Sequence, residues 1–449
     1  MTHLLHASQN HEKQFFEVCM STFKSIDALD VVELLNLAEH PDTHDDVLVK
    51  IAHLNKPYIN MSLAKREPIS QQLFSALINA DGEKDRYVML SLMDNKSLGI
   101  NHLQAVIDTL TCSGSNSDTI ERCLTTFYER PDVPRALLIE GARSKIQGVQ
   151  MSVLSNVNAD EQVISILSES GNDYVVNAVA KSNKTPTSIL HRLSKSEILF
   201  IRESVASNEN SDHEILAMLA NDDLSVSSRV AKNISAQPDL LESMFSHGHQ
   251  FIKQYIAANL KCPLNIMSDI ASMHANDSLQ YNAMLALANN MSAPIDILDR
   301  LLLKKNDKIV EAVVQNRSYV ANENTIKCLT RVPDFSISAR MNLAGNVSTP
   351  LYVMLKLLTA EETPLVKNVM IDAIQKSPDS KYEALYDEGW TLESSVGHDD
   401  KLQTLESLLR DCKLFDAIDK LLALELKHKI EAASGGQSPS ISKKINRCI

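Results

Sequence analysis

Apolar residues recur along most of the chain in a fixed order around a small or polar residue. From Ile201, the pair Val205 and Ala206 is followed by one spacer, then Asn208, a short polar stretch, and a second apolar cluster at Ile215, Leu216 and Leu219. The same order runs on from Val175 and from Ser227. With the polar residue as anchor, thirteen positions form a ladder: His40, Arg66, Asn95, Arg130, Asn156, Ser182, Asn208, Asn233, Asn259, Asn290, Asn316, Asn346 and Ser377. The intervals from Arg130 to Asn259 are 26, 26, 26, 25 and 26 residues, and the others lie between 26 and 35. A period of this length with matching side chains around it is the signature of a repeat array.

Each repeat reads as two short helices with the anchor at the break. Positions +7, +8 and +11 are apolar, and steps of three and four place them on one helical face. They are Val163, Ile164 and Leu167 after Asn156, and Ile297, Leu298 and Leu301 after Asn290. After Asn316 the pattern shifts to Ile326 and Leu329, and the Ser377 unit is the most degenerate. Pro134, Pro186, Pro263, Pro294 and Pro350 stand at +4, where they are expected in the first turn of the second helix. Thr185, Ser211 and Thr349 just before it are expected to cap it, Ser211 with Glu214 as a capping box. The preceding helix carries apolar residues at −3 and −2, and small residues at −2 let neighbouring helices approach closely. One such pair cannot bury its apolar faces alone, whereas stacked pairs share a core. The expected fold is all-α: a right-handed α-solenoid of about thirteen two-helix repeats of roughly 26 residues each.

The pattern V-A-x-N, as in Val205-Ala206-Ser207-Asn208, followed by T/A-P-x-x-I/L-L-x-x-L, as in Thr185 to Leu193, resembles the leucine-rich repeat variant, a HEAT-like α-solenoid family. The likeness is best over 149–301 and continues as spacing alone over 31–148 and 302–380. It implies a helix paired with a second short helix, often 3₁₀. The founding type of that family is associated with an iron–sulfur cluster beside its repeats. The cysteines here lack the clustered spacing such a cluster requires, so none is carried over.

Residues 1–30 are expected to hold an N-terminal capping helix, around Lys13 to Phe23, ahead of repeats spanning 31–380. Residues 381–400 read as a looser connection containing Trp390, within a C-terminal helical cap over 381–432. The strong 3.6-residue periodicity of 401–432 fits a helix pair that covers the exposed core, or a helix that docks a partner or a second copy. Residues 433–449 read as a disordered tail with local positive charge at Lys443, Lys444 and Arg447.

Composition narrows the reading. The 449 residues are 44% hydrophobic but only 5% aromatic with 12 glycines, which favours packed helices over a sandwich or barrel. No apolar run approaches membrane-span length and the first residues lack signal-peptide character, so a cytoplasmic protein is expected. The seven cysteines are scattered, form no CxxC, and read as reduced core thiols. His40 and His44 stand four apart beside Asp42, Asp45 and Asp46, a spacing that suits zinc only on one continuous helix, and the anchor break at His40 argues against that. His247-Gly248-His249 reads as a turn. There is no phosphate loop, HExxH or GxSxG, so no catalytic residue, metal site, cofactor or small-molecule substrate is assigned.

With 44 basic and 57 acidic residues the net charge is −13. Outward positions of the second helices are mixed and net acidic, whereas nucleic-acid binding calls for a basic stripe. The expected function is a non-enzymatic scaffold for a protein partner, most naturally a basic or mixed segment. The candidate surface is Arg192, Arg202, His213, Glu214, Glu242, Lys253, Asp269, Asp296, Arg300 and Arg340. Two alternatives stay open. One is a nucleic-acid-associated HEAT-like solenoid, shaped like certain DNA-repair glycosylases, which needs Arg202, Lys253 and Arg340 at −6 to line one groove. The other is a metal- or cluster-linked repeat protein.

Overall fold

The computed structural model describes residues 26–79, 86–112, 117–274, 277–304, 306–331, 337–397 and 402–434. The expected helix at Lys13 to Phe23 and the tail beyond 434 lie outside the described residues. The chain divides between Leu193 and Ser194 into two compact units.

The first unit contains six helix pairs after a 3₁₀ turn at Ile26–Ala28: α1 Val31–Glu39 and α2 Asp45–His53, α3 Pro57–Ala64 and α4 Gln71–Asn79, α5 Arg86–Asp94 and α6 Ile100–Cys112, α7 Ser117–Glu129 and α8 Arg135–Ala142, α9 Gln147–Ser155 and α10 Glu161–Leu167, α11 Asp173–Lys181 and α12 Thr187–Leu193. The odd-numbered helices pack on one another in series from α1 to α11, and α2 packs on α4 as α8 does on α10. The second unit continues with α13 Leu199–Ser207 and α14 His213–Leu219, α15 Leu224–Lys232 and α16 Pro238–His247, α17 Lys253–Ala258 and α18 Leu264–Ser272, α19 Ser278–Ala288 and α20 Ile295–Leu302, α21 Asp307–Gln315 and α22 Glu323–Arg331, α23 Ile337–Gly345 and α24 Leu351–Ala360, α25 Pro364–Gln375 and α26 Asp379–Asp387. Odd helices α13 to α25 again pack in series, and α18, α20, α22 and α24 do the same on the other side. Within each unit this is a solenoid-like arrangement of an all-α protein. Both helices of every pair are α-helical, and a second 3₁₀ turn, Gln250–Ile252, leads into α17. The 3₁₀ second helix implied by the family resemblance is therefore not what these repeats form.

All thirteen anchors stand at the corner between the odd and the even helix. The apolar slots are the core: Val163, Ile164 and Leu167, Ile215, Leu216 and Leu219, Ile297, Leu298 and Leu301, and the shifted Ile326 and Leu329 are all buried.

The anchors are joined by a ladder of side-chain bonds. In the first unit Asn95 Nδ2 donates to the carbonyls of Ala64 and Arg66, at 2.8 and 2.7 Å, and Asn156 Nδ2 to those of Tyr128 and Arg130, at 2.7 and 2.8 Å. In the second unit Asn233 reaches Ala206 and Asn208, Asn259 reaches Ala231 and Asn233, Asn290 reaches Ala257 and Asn259, Asn316 reaches Ala288 and Asn290, and Asn346 reaches Val314 and Asn316. The acceptors are the last carbonyls of the preceding odd helix, which have no partner within that helix. Each of these asparagines also turns Oδ1 back to accept the N–H two residues on, as Asn259 does from Lys261 at 2.9 Å. Asparagine suits the position because it offers two donors and an acceptor from one short, neutral side chain. Arg66 spans the same gap, donating to Ala38 and His40 carbonyls. Ser182 is too short, and Lys184 Nζ instead donates to the Asn156 carbonyl at 2.8 Å.

Two expectations about the even-helix start are corrected. The prolines at +4 are not inside the first turn. Pro134, Pro263, Pro294 and Pro350 are the N-cap residues themselves, with φ −63° and ψ of 146–154°, and their carbonyls accept the first helical bonds. Ser211 does not form a capping box with Glu214: Asp212 caps α14, its Oδ1 accepting from Ile215 N at 3.0 Å. The +3 position is a buried, mostly small-residue slot, filled elsewhere by Ala159, Ala236, Cys262 and Ala293. Hydroxyls there must find an internal acceptor. Thr43, Thr185, Ser211 and Thr349 donate to the carbonyls of Leu37, Val179, Val205 and Leu343 in their own repeat.

Past α26, Gly389 takes φ +90° and lets Trp390 N bond back to the Leu385 carbonyl. Strand β1 Ser395–Val396, in the stretch read as a loose connection, pairs antiparallel with β2 Gln403–Thr404, at the start of the segment read as helical. Helices α27 Leu405–Asp411 and α28 Phe415–Ser434 follow, with α28 resting on α25, α26 and α27.

Candidate interaction surface

The cations at −6 are engaged within the second unit. Arg202 on α13 holds Asp222 through Nε at 2.6 Å and Nη2 at 3.0 Å, and also donates to the carbonyls of Ser196 and Glu197. The paired guanidinium holds the Asp222 carboxyl below the usual carboxylate range, chiefly through that hydrogen bond. Arg340 on α23 sets Nε 3.2 Å from Oε2 of Glu361, and Nη2 donates to Thr363 Oγ1. Lys253 on α17 lies with Nζ 4.8 Å from the centre of the Phe245 ring. Two of the three are thus internal cross-links between a helix and the segment after its repeat, and the third rests on an aromatic face.

The even helices present the remaining candidates, and their polar faces are stitched from one repeat to the next. On α12 in the first unit, Arg192 pairs with Glu169 at 2.7 Å and also donates to Ser168. In the second unit His213 on α14 lies 3.9 Å from Asp239 on α16, Glu242 on α16 accepts from Asn265 on α18 at 3.0 Å, and Arg300 on α20 donates to the Ser268 and Ser272 hydroxyls of α18. Glu214, Asp269 and Asp296 are exposed. Arg300 is therefore turned along the array rather than outward.

Sorting charge by helix separates two faces. Helices α14, α16, α18 and α20 carry Glu214, Asp239, Glu242, Asp269, Asp296 and Asp299 against Arg300 alone, a net of −5 with histidines neutral. Helices α13, α15, α17 and α19 carry Arg202, Arg229, Lys232 and Lys253 against Glu203, a net of +3. Five of the six carboxylates, all but the half-buried Asp299, are exposed along successive even helices, so their charges reinforce one another along that face.

Asp299 escaped the sequence reading although it organises the following repeat. It accepts from Tyr319 Oη at 2.8 Å, from Asn322 Nδ2 at 3.0 Å and from Asn324 Nδ2 at 2.9 Å. The signal lay in Tyr319, an aromatic in a slot that mostly holds small residues. Burial pushes its hydroxyl well above the usual tyrosine range.

The histidines weighed as metal ligands serve the backbone. His40 closes α1 and His44 caps α2, each accepting a backbone N–H through Nδ1, so the two do not share a helix. His249 caps the 3₁₀ turn after Gly248, as a turn requires. Among the described residues no three of His, Cys, Asp and Glu converge on one point. Burial pushes the Cys123 thiol up to about 11 and the Cys262 thiol up to about 12. Since the thiolate is the reactive form, both are expected to stay unmodified by an alkylating reagent at pH 8 in the folded chain. Peptide mass spectrometry before and after unfolding checks this, and early labelling of either would contradict it.

No helix among the described residues is long and apolar enough to cross a membrane. No protein-family model matches the chain, and no curated protein matches it significantly.

Proposed function

We propose that the chain is a non-enzymatic, cytoplasmic interaction scaffold of the leucine-rich repeat variant type, and that the even-helix face of α14 to α20 receives a basic segment of a protein partner. The observation that carries this reading is the separation of charge by helix in the second unit, with six carboxylates on the four even helices and their one guanidinium turned onto serines. An extended surface of one sign speeds the encounter with an oppositely charged partner, with a strong dependence on salt. The V-A-x-N motif supports the family reading, because the asparagine and the carbonyl of the alanine two residues before it are the donor and acceptor of the ladder. The nucleic-acid alternative is weakened by the ion pairs of Arg202 and Arg340.

The test replaces Asp239, Glu242, Asp269 and Asp296 by lysine in the full chain. The expected result is an unchanged fold and at least about a tenfold loss of association with the partner captured from the native host, with the wild-type interaction weakening as salt rises. Equal capture by wild type and variant at low salt would overturn the assignment of this face.

A further inference from the structure

The exposed side of α28 has an arrangement that the scaffold reading does not use. Ala417, Ile418 and Leu421 face the body of the second unit and are buried. About a third of a turn round the helix from them, Phe415, Leu422 and Leu426 stand out, Leu422 at 48% and Leu426 at 60% exposure. With exposed Asp419, Lys429 and Ala433 they form a regular seam, one series at 415, 422 and 429 and a second at 419, 426 and 433. These are the two seven-residue series of a coiled-coil interface.

We infer that α28 pairs antiparallel with α28 of a second copy of this chain, about a twofold axis that crosses the seam at the level of residue 424. In that register the series at 415, 422 and 429 meets the series at 433, 426 and 419. Leu422 lies on Leu426, Phe415 on Ala433, and Asp419 opposite Lys429, each contact occurring twice by symmetry. Every layer is then apolar on apolar or acid on base. The seam holds one acidic residue in its first half and one basic residue in its second. A parallel pairing in register would set Asp419 against Asp419 and Lys429 against Lys429, two repulsive layers that select against it. A helix of this length spans about 30 Å, enough for the three distinct layers and their symmetry mates. Charge complementarity therefore points to a second copy of this helix as the occupant.

Sedimentation equilibrium of the full chain across the micromolar range tests the inference. Wild type is expected to form a concentration-dependent dimer. Leu422→Asp combined with Leu426→Asp is expected to be monomeric with unchanged circular dichroism, since both positions are exposed. Asp419→Lys and Lys429→Asp singly place like charges opposite each other and are expected to weaken association at least about tenfold, while the double exchange restores it to within about threefold of wild type. A wild-type chain that stays monomeric, because a tail segment or a different protein covers the seam, overturns the proposal. So does a dimer that ignores the leucine changes, or a double exchange that fails to rescue.

Discussion

Asn259→Asp is expected to destabilise the second unit more than Asn259→Ala, although it is the closer match in shape. The wild-type amide donates to two carbonyls at the end of α15, those of Ala231 and Asn233, at 2.8 and 3.0 Å, while its oxygen accepts from Lys261. Alanine leaves two buried acceptors and one donor without this partner, at about 1–3 kcal/mol for each group that water does not reach, so a loss of about 3 kcal/mol is expected. Aspartate keeps the bond from Lys261 but brings a carboxylate against two carbonyl oxygens at the negative end of a helix. The expected loss is about 4 kcal/mol or more at pH 7. The sign of its pH dependence separates the two mechanisms. The two carbonyl oxygens facing it raise the pKa of the introduced carboxylate, and its protonated form can again donate one bond. The aspartate variant should therefore recover part of its deficit relative to wild type as pH falls towards 5, and the alanine variant should not. Urea unfolding of both variants at pH 7 and pH 5 checks the pair, and an aspartate variant as stable as wild type would show that the ladder carries little.

Glu361→Ala is expected to cost about 3–5 kcal/mol, because it strands a guanidinium rather than removing a surface charge. The side chains of Arg340 and Glu361 are only 12% and 3% exposed, with Nε and Oε2 3.2 Å apart, and Glu361 also accepts from Thr363 N at 2.9 Å. Replacing both partners together, as Arg340→Met with Glu361→Leu, removes the unpaired charge and is expected to recover most of the loss. The pair Arg192–Glu169 provides the contrast: at a shorter 2.7 Å, but largely in water, its removal is expected to change stability by less than about 1 kcal/mol. Thermal unfolding of the three variants decides this, and equal shifts for Glu361→Ala and Glu169→Ala would remove the distinction between buried and exposed pairs.

The repeat was legible because helical steps of three and four leave a periodic apolar record. Val163, Ile164 and Leu167 are buried where that record places them, and so are the shifted Ile326 and Leu329. What the anchor does was not legible. Spacing marks Asn259 as special, but its partners lie 26 and 28 residues away, on carbonyls that any residue supplies. The hydroxyls of Ser211 and Thr349 were misread for a related reason. A serine before a helix is ordinarily a cap, and only burial against the preceding helix shows that it serves its own repeat instead. The candidate surface suffered from the length of arginine. Arg202 and Arg300 occupy periodic polar slots like their exposed neighbours, yet each bends back to a carboxylate or a serine hydroxyl that no periodicity announces. The charge contrast between odd and even helices is written in the sequence, but it becomes visible only once the helix boundaries assign each residue to its side.

The asparagine bonds all run one way: a later unit reaches back to close the end of an earlier one. The array therefore has a direction that its near-identical parts conceal. Either cut bares apolar surface, but among the ladder groups trimming from the front frees only an amide, which water satisfies. Trimming from the back bares carbonyls that were sealed, and the damage starts in the segment left standing. During synthesis the same asymmetry means that each unit is finished by its successor, so the growing chain always carries one open end, and that end is always the newest.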